Sequence, residues 1–356
     1  MEKEWANIIK LRSQQNNPSP NSQTKTRQPE TNTSTSTNSP ARVEATTSVE
    51  KPFEEQADYL YTLGLSYYKG QGINQNLVEA FNCFLKAANQ GHSPAQFRLG
   101  LMYANGEGIK QDLTEAVHWY TKAADQDIVQ AQFNLAMMYK NGKGVDKSEA
   151  LATNWFEKAA NLGDAHSHFE LGQIYELDNG AQEDIGKAIH FYQTASNNGN
   201  INASLRLAAI YTKGLGVKKD PSEAATWLKK AAEADNARAQ FELSRAYDNG
   251  VGVDISPIKA ALWCGKAAFQ GHAAAQFYLG LMYTFGNGVE KNHATAAHYY
   301  KLSAEQGYIR AQVTLGDAYV AGKGVKKDVA EAAKWYGKAS EQGIDEATTK
   351  LRKLKI

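Results

Sequence analysis

Three histidines, His118, His190 and His298, recur at one position of an internal period, and His166 and His168 stand two residues apart. Imidazoles at fixed spacing can ligate a metal or move a proton near neutral pH. Successive members of the first set are two and three periods apart, too far to share a site, and a pair two apart on a helix faces different ways. The chain contains no HExxH, CxxC or GxSxG. Loops such as Gly142-Lys-Gly144 and Gly322-Lys-Gly324 resemble phosphate cradles, but no GK[ST] follows and the loop recurs along the chain, in seven of the eight periods, so turn chemistry is the expectation. Cys83 and Cys264 fall in the first and sixth periods. Helices packed 8 to 10 Å apart would separate them by about 50 Å, against the roughly 6 Å between Cα atoms that a disulfide needs. No catalytic, metal or cofactor-binding residue is expected, and no cofactor.

What must position any site is the period itself. From Tyr59, Ala95, Ala131, Ser167, Ala203, Ala239, Ala275 and Ala311, each counted as position zero, the chain repeats every 36 residues without insertion or deletion. Position 4 is always leucine (Leu63 to Leu315), position 8 tyrosine (Tyr67 to Tyr319), position 13 glycine and position 21 alanine. Apolar and small residues at 0, 4, 5 and 8, then at 21, 24, 25 and 28, have the spacing of two amphipathic helices. A period of this length means stacked units that cannot bury their apolar faces alone.

The second helix of each unit is expected to start after position 17, which is Asn76, Asp112, Ser148, Asp184, Asp220, Ser256, Asn292 or Asp328. Glu79, Glu115, Glu223 and Glu331 three residues on predict capping boxes. Glycine at positions 11 and 32 predicts the helix ends; Asp178 replaces it at 11, and Asp127 and Asp235 at 32, aspartate being tolerant of left-handed backbone. Small residues at positions 5 and 28 predict close helix approach, with the aromatic at position 24 (Trp119, Trp155 and equivalents) lying across them.

The pattern A-x-F-x-L-G-x-x-Y-x-x-G-x-G-V followed by a cap and A-x-x-W-Y-x-K-A-A-x-x-G resembles the Sel1-like repeat, a relative of the tetratricopeptide repeat; residues 95–108 (AQFRLGLMYANGEG) and 275–288 (AQFYLGLMYTFGNG) show it most plainly. The resemblance covers about four fifths of the chain. It implies an all-α, right-handed α-solenoid of eight 36-residue helical-hairpin repeats plus a C-terminal capping helix, binding other proteins and without shared catalytic residues. Many members are bacterial adaptors, regulators or virulence-linked scaffolds. A secreted branch carries paired cysteines, some of its members being linked to β-lactam binding or hydrolysis; such pairs are missing here.

A formal charge of +1 from 39 basic and 38 acidic residues offers no field for phosphate backbones, so no nucleic acid partner is expected. No run approaches the ~20 apolar residues of a membrane span, and the start lacks a signal core, so a cytoplasmic location is expected, with non-classical secretion left open. Trp5, Ile8 and Ile9 at helical spacing mark 1–12 as a short docking helix, on a disordered Ser/Thr/Asn/Gln/Pro-rich linker, 13–52. Repeats are expected over 53–346. Over 347–356, Ala347, Leu351 and Leu354 begin a ninth first helix that Arg352 and the lysines turn into a polar cap.

By analogy with tetratricopeptide stacks, positions 2, 6, 9 and 10 of the first helices should line a concave face. Its apolar candidates are Tyr68, Leu101, Met137, Leu281 and Phe285, and its charged ones Lys140, Glu176, Arg245, Asp248 and Asp317. Apolar side chains with charges between them suit a protein or peptide partner. The expected function is a monomeric, non-enzymatic interaction scaffold. The alternatives are a secreted effector or colonisation factor and, behind it, a β-lactam hydrolase.

Overall fold

The computed structural model describes residues 53–177 and 182–354; the expected docking helix (1–12), the linker (13–52) and Asp178 lie outside the described residues. Seventeen α-helices and no strand are found among those described. Eight antiparallel hairpins follow one another: α1 (Phe53–Lys69) with α2 (Leu77–Asn89), α3 (Ser93–Asn105) with α4 (Leu113–Ala124), α5 (Val129–Asn141) with α6 (Glu149–Asn161), and α7 (Ala165–Leu177) with α8 (Gln182–Asn197). The second half continues with α9 (Ile201–Lys213) and α10 (Pro221–Glu233), α11 (Ala237–Asn249) and α12 (Pro257–Phe269), α13 (Ala273–Phe285) and α14 (His293–Glu305), then α15 (Ile309–Ala321) and α16 (Val329–Glu341). Each helix packs on the one before it and the one after, the arrangement of an α-solenoid. A final helix, α17 (Asp345–Lys353), buries Ala347 and sets Leu351 and Leu354 against the last hairpin. It begins two residues before the expected cap boundary.

The position-17 side chain accepts from a first-turn amide in seven repeats, for example Asp112 from Thr114 and Glu115. In the fourth, α8 starts earlier, so Asp184 lies inside the helix and pairs with Lys187 at 3.7 Å. The reciprocal half of the capping box is absent among the described residues. The cap's own N–H donates instead to the carbonyl of the position-8 tyrosine, as from Asp112 to Tyr103 and from Asp220 to Tyr211, both at 3.0 Å. That bond closes the loop inside the seven hairpins capped in this way and leaves the glutamate available for other partners; Glu223, for one, accepts from the Trp227 indole at 2.9 Å. Asp127 and Asp235 do take left-handed backbone, with φ of 58° and 64°.

Where position 5 is glycine, it is covered by the ring at position 25, not at 24. A Cβ added to Gly100 would lie 2.4 Å from the Tyr120 ring, and one on Gly316 2.5 Å from that of Tyr336. Adjacent helical residues point about 100° apart, so if one faces its own hairpin the next faces elsewhere. The position-24 indole faces the preceding repeat: Trp119 packs with Ala80, Phe84 and Ala88. A lysine one turn on covers several of these indoles, with Lys158 Nζ 3.8 Å from the Trp155 ring centre and Lys266 Nζ 4.4 Å from that of Trp263.

Candidate protein-binding surface

The residues with catalytic or ligating chemistry are dispersed or structural. His118, His190 and His298 are exposed, each on a different hairpin. His92 and His272, which carry no motif, serve as N-caps, accepting through Nδ1 from Ala95 and Ala275 N–H at 3.1 and 3.2 Å. Among the described residues no three of His, Cys, Asp and Glu gather as a metal site would require. Both cysteines are buried and free, and burial raises the Cys264 thiol to about 12, far from a nucleophile's range. The Gly-x-Gly loops are joints between repeats: a Cβ on Gly252 would sit 1.9 Å from the carbonyl oxygen of Pro221 in the preceding repeat.

The ten candidate surface positions separate by what they touch. Tyr68 donates to Glu107 at 2.7 Å and Asp248 accepts from Asn287 at 2.8 Å, in each case reaching the loop of the next repeat. Lys140 pairs with Glu170. Glu176 accepts from Arg206 Nε at 2.7 Å and from the Tyr192 hydroxyl at 2.8 Å; burial, and then the carboxylate, push that hydroxyl's pKa well up. Asp317 holds Tyr336 at 2.6 Å and Lys350 at 2.7 Å. Leu101, Met137 and Leu281 are half buried against the cores of their own and neighbouring hairpins. Phe285, 75% exposed, presents its side chain mostly to solvent, and Arg245, about half exposed, makes only a loose pair with Glu242 at 3.4 Å. Five polar or charged candidates are thus engaged in holding neighbouring elements together.

What the candidate set missed, apart from Arg245, is a cleft lined by the first helices of repeats four to six together with α10. One part, about 530 Å3, is lined by Phe169, Leu205, Arg206, Ala209, Lys213 and Arg238. A second, about 310 Å3, is lined by Ala224, Ala225, Arg245, Ala246 and Val251. Thr212, Leu228 and Glu242 line both, so the two parts adjoin. The cleft follows from two local departures. Position 6 is Ala209 where other repeats carry Leu101, Met137 or Leu281, and the position-25 ring is replaced in repeat five by Leu228, which lines both parts. Missing bulk at a packed crossing leaves space that the rigid neighbours do not fill. Both departures were visible in the aligned repeats as exceptions to a pattern.

The Sel1 family model, described as Sel1 repeat, matches eight consecutive segments, 57–92, 93–128, 129–164, 165–200, 201–236, 237–272, 273–308 and 309–344. Among solved structures, a protective antigen present in uropathogenic Escherichia coli strains, displaying an SLR fold, is 34% identical with a TM-score of 0.74, over 85% of this chain and 67% of that one. A Sel1 repeat protein from Oxalobacter formigenes is 30% identical with a TM-score of 0.64, over 85% of this chain and 89% of that one. A search of curated proteins returned no match.

Proposed function

The chain belongs to the Sel1 repeat family, and from that premise we propose that it is a non-enzymatic scaffold that binds a protein segment on the face formed by its first helices. The observation that carries the reading is the cleft across α7, α9 and α11, closed on one side by α10: apolar side chains with cationic and anionic ones among them, open to solvent, on helices held in one stack. Such a surface offers burial and charge complementarity without chemistry. No helix of the described residues is long and apolar enough to cross a membrane, and the reading places the protein in the cytoplasm as a monomer.

A photo-crosslinking amino acid at Ala209, on the proposed face, and another at His298, exposed on a second helix, test the assignment in cells. Capture of partner from Ala209 and not from His298 is the expected outcome; the reverse would move the interface to the second helices.

The likeness to a protective antigen supports a second reading, in which the chain is exported and presented to a host. Fusion of the full chain to a secretion reporter separates the two: signal outside the cell sustains export, and its absence retains the cytoplasmic scaffold.

A further inference from the structure

We propose that the cleft of repeats four to six takes an extended acidic peptide of about six residues, one central apolar side chain seated over Ala209 and Leu228 and flanking carboxylates on Lys213, Arg238 and Arg245. The inference rests on the scaffold reading and names the chemistry of the partner.

Length follows from geometry. Three successive first helices at roughly 10 Å spacing span about 20 Å, which an extended chain covers at about 3.3 Å per residue. The apolar seat follows from composition, because Leu205, Ala208, Ala209, Ala225 and Leu228 together leave a shallow space where other repeats place a larger side chain. Charge sets the sign of the partner. Arg206 is committed to Glu176, and Arg245 shares Glu242. Lys213 and Arg238 line the cleft with no ion pair among the described residues, so the rim keeps an uncompensated positive charge that carboxylates would complement. Helical partners fit less well: a helix about 10 Å across would sit on the rim and leave the recess between α9 and α11 empty.

The test uses the full chain and a fluorescein-labelled peptide of aspartate and glutamate around one central leucine, with a lysine-for-acid counterpart and a counterpart carrying glycine at the centre. The acidic leucine peptide should bind at least about tenfold more tightly than either counterpart and weaken severalfold between 50 and 300 mM salt. Ala209→Leu should weaken it at least about tenfold by filling the seat. That variant is expected to fold, because leucine holds the same position in α3 and α13. Arg238→Glu with Lys213→Glu should do the same by repelling the carboxylates.

Equal affinity for the acidic and basic peptides, or indifference to Ala209→Leu, would overturn the proposal. So would self-association abolished by Ala209→Leu, which would place a second copy in the cleft, or an intramolecular lysine crosslink from Lys3 or Lys10 to Lys213, which would place the chain's own N-terminal segment there. The scaffold reading fails separately, if partner crosslinks in cells arise from His298 and not from Ala209.

Discussion

Gln126 donates from Nε2 to Oε1 of Gln96 at 2.7 Å, joining the end of one hairpin's second helix to the start of its first. The same bond recurs from Gln270 to Gln240, Gln306 to Gln276 and Gln342 to Gln312, always across 30 residues. The receiving glutamine is buried and donates in turn to a carbonyl of the preceding repeat, as Gln96 does to Ala88 at 3.2 Å. In the third repeat the donor is missing. Leu162 occupies its place, half exposed, and Gln132 Oε1 is buried without a protein partner.

Leu162→Gln should therefore stabilise the stack by about 0.5 to 1.5 kcal/mol, the net worth of a hydrogen bond to a previously unpaired buried acceptor. Urea titration followed by circular dichroism reads it as a raised midpoint. An unchanged midpoint would mean that water already satisfies Gln132.

Gly252 and Gly271 both have positive φ, 73° and 89°, but differ in surroundings. Alanine at 271 meets open space and should cost only the left-handed strain of about 1 to 2 kcal/mol. Alanine at 252 adds a collision with the Pro221 carbonyl, so Gly252→Ala should cost at least about 2 kcal/mol more than Gly271→Ala. Equal melting temperatures for the two variants would show that the joint between repeats five and six yields freely.

His272 caps α13 with its unprotonated Nδ1, and burial lowers its pKa below the ordinary value, with Glu242 opposing and Arg238 assisting. The unfolded chain then binds more protons than the folded one between the lowered pKa and about 6.5. This contribution to stability is complete above that window and is lost as pH falls through it. Asparagine holds the same cap in Asn200 and Asn236, so His272→Asn should keep the fold. Between pH 7.5 and 5.5 the urea midpoint of the variant should drop less than that of the parent; equal drops would remove His272 from the pH response.

The hairpins, their caps and the number of repeats were legible because each depends on residues close in sequence or identical in every copy. Pairings across repeats were not. Lys140 with Glu170 and Glu176 with Arg206 join position 9 of one repeat to position 3 of the next, an adjacency created only by the stacking angle. Complementary charges 30 residues apart were the available signal, as were the glutamines at the same separation. Positions 24 and 25 exchanged roles for a related reason: both are aromatic in most repeats, and only the crossing geometry decides which ring meets Gly100 and which meets the previous repeat.

Those pairings determine which charge reversals can probe binding. Asp248 accepts from Asn287 across a repeat boundary, so Asp248→Lys removes that bond and should lower stability by roughly 1 kcal/mol whatever it does to a partner. Arg245 is exposed, with only a loose pair to Glu242, and Arg245→Glu should leave the urea midpoint within about 0.5 kcal/mol of the parent. It should nevertheless reduce partner capture, because the reversed charge stands at the rim of the cleft between α9 and α11. Measured side by side, stability should respond to Asp248→Lys and capture to Arg245→Glu. Undiminished capture by a stably folded Arg245→Glu would place the interface away from this cleft.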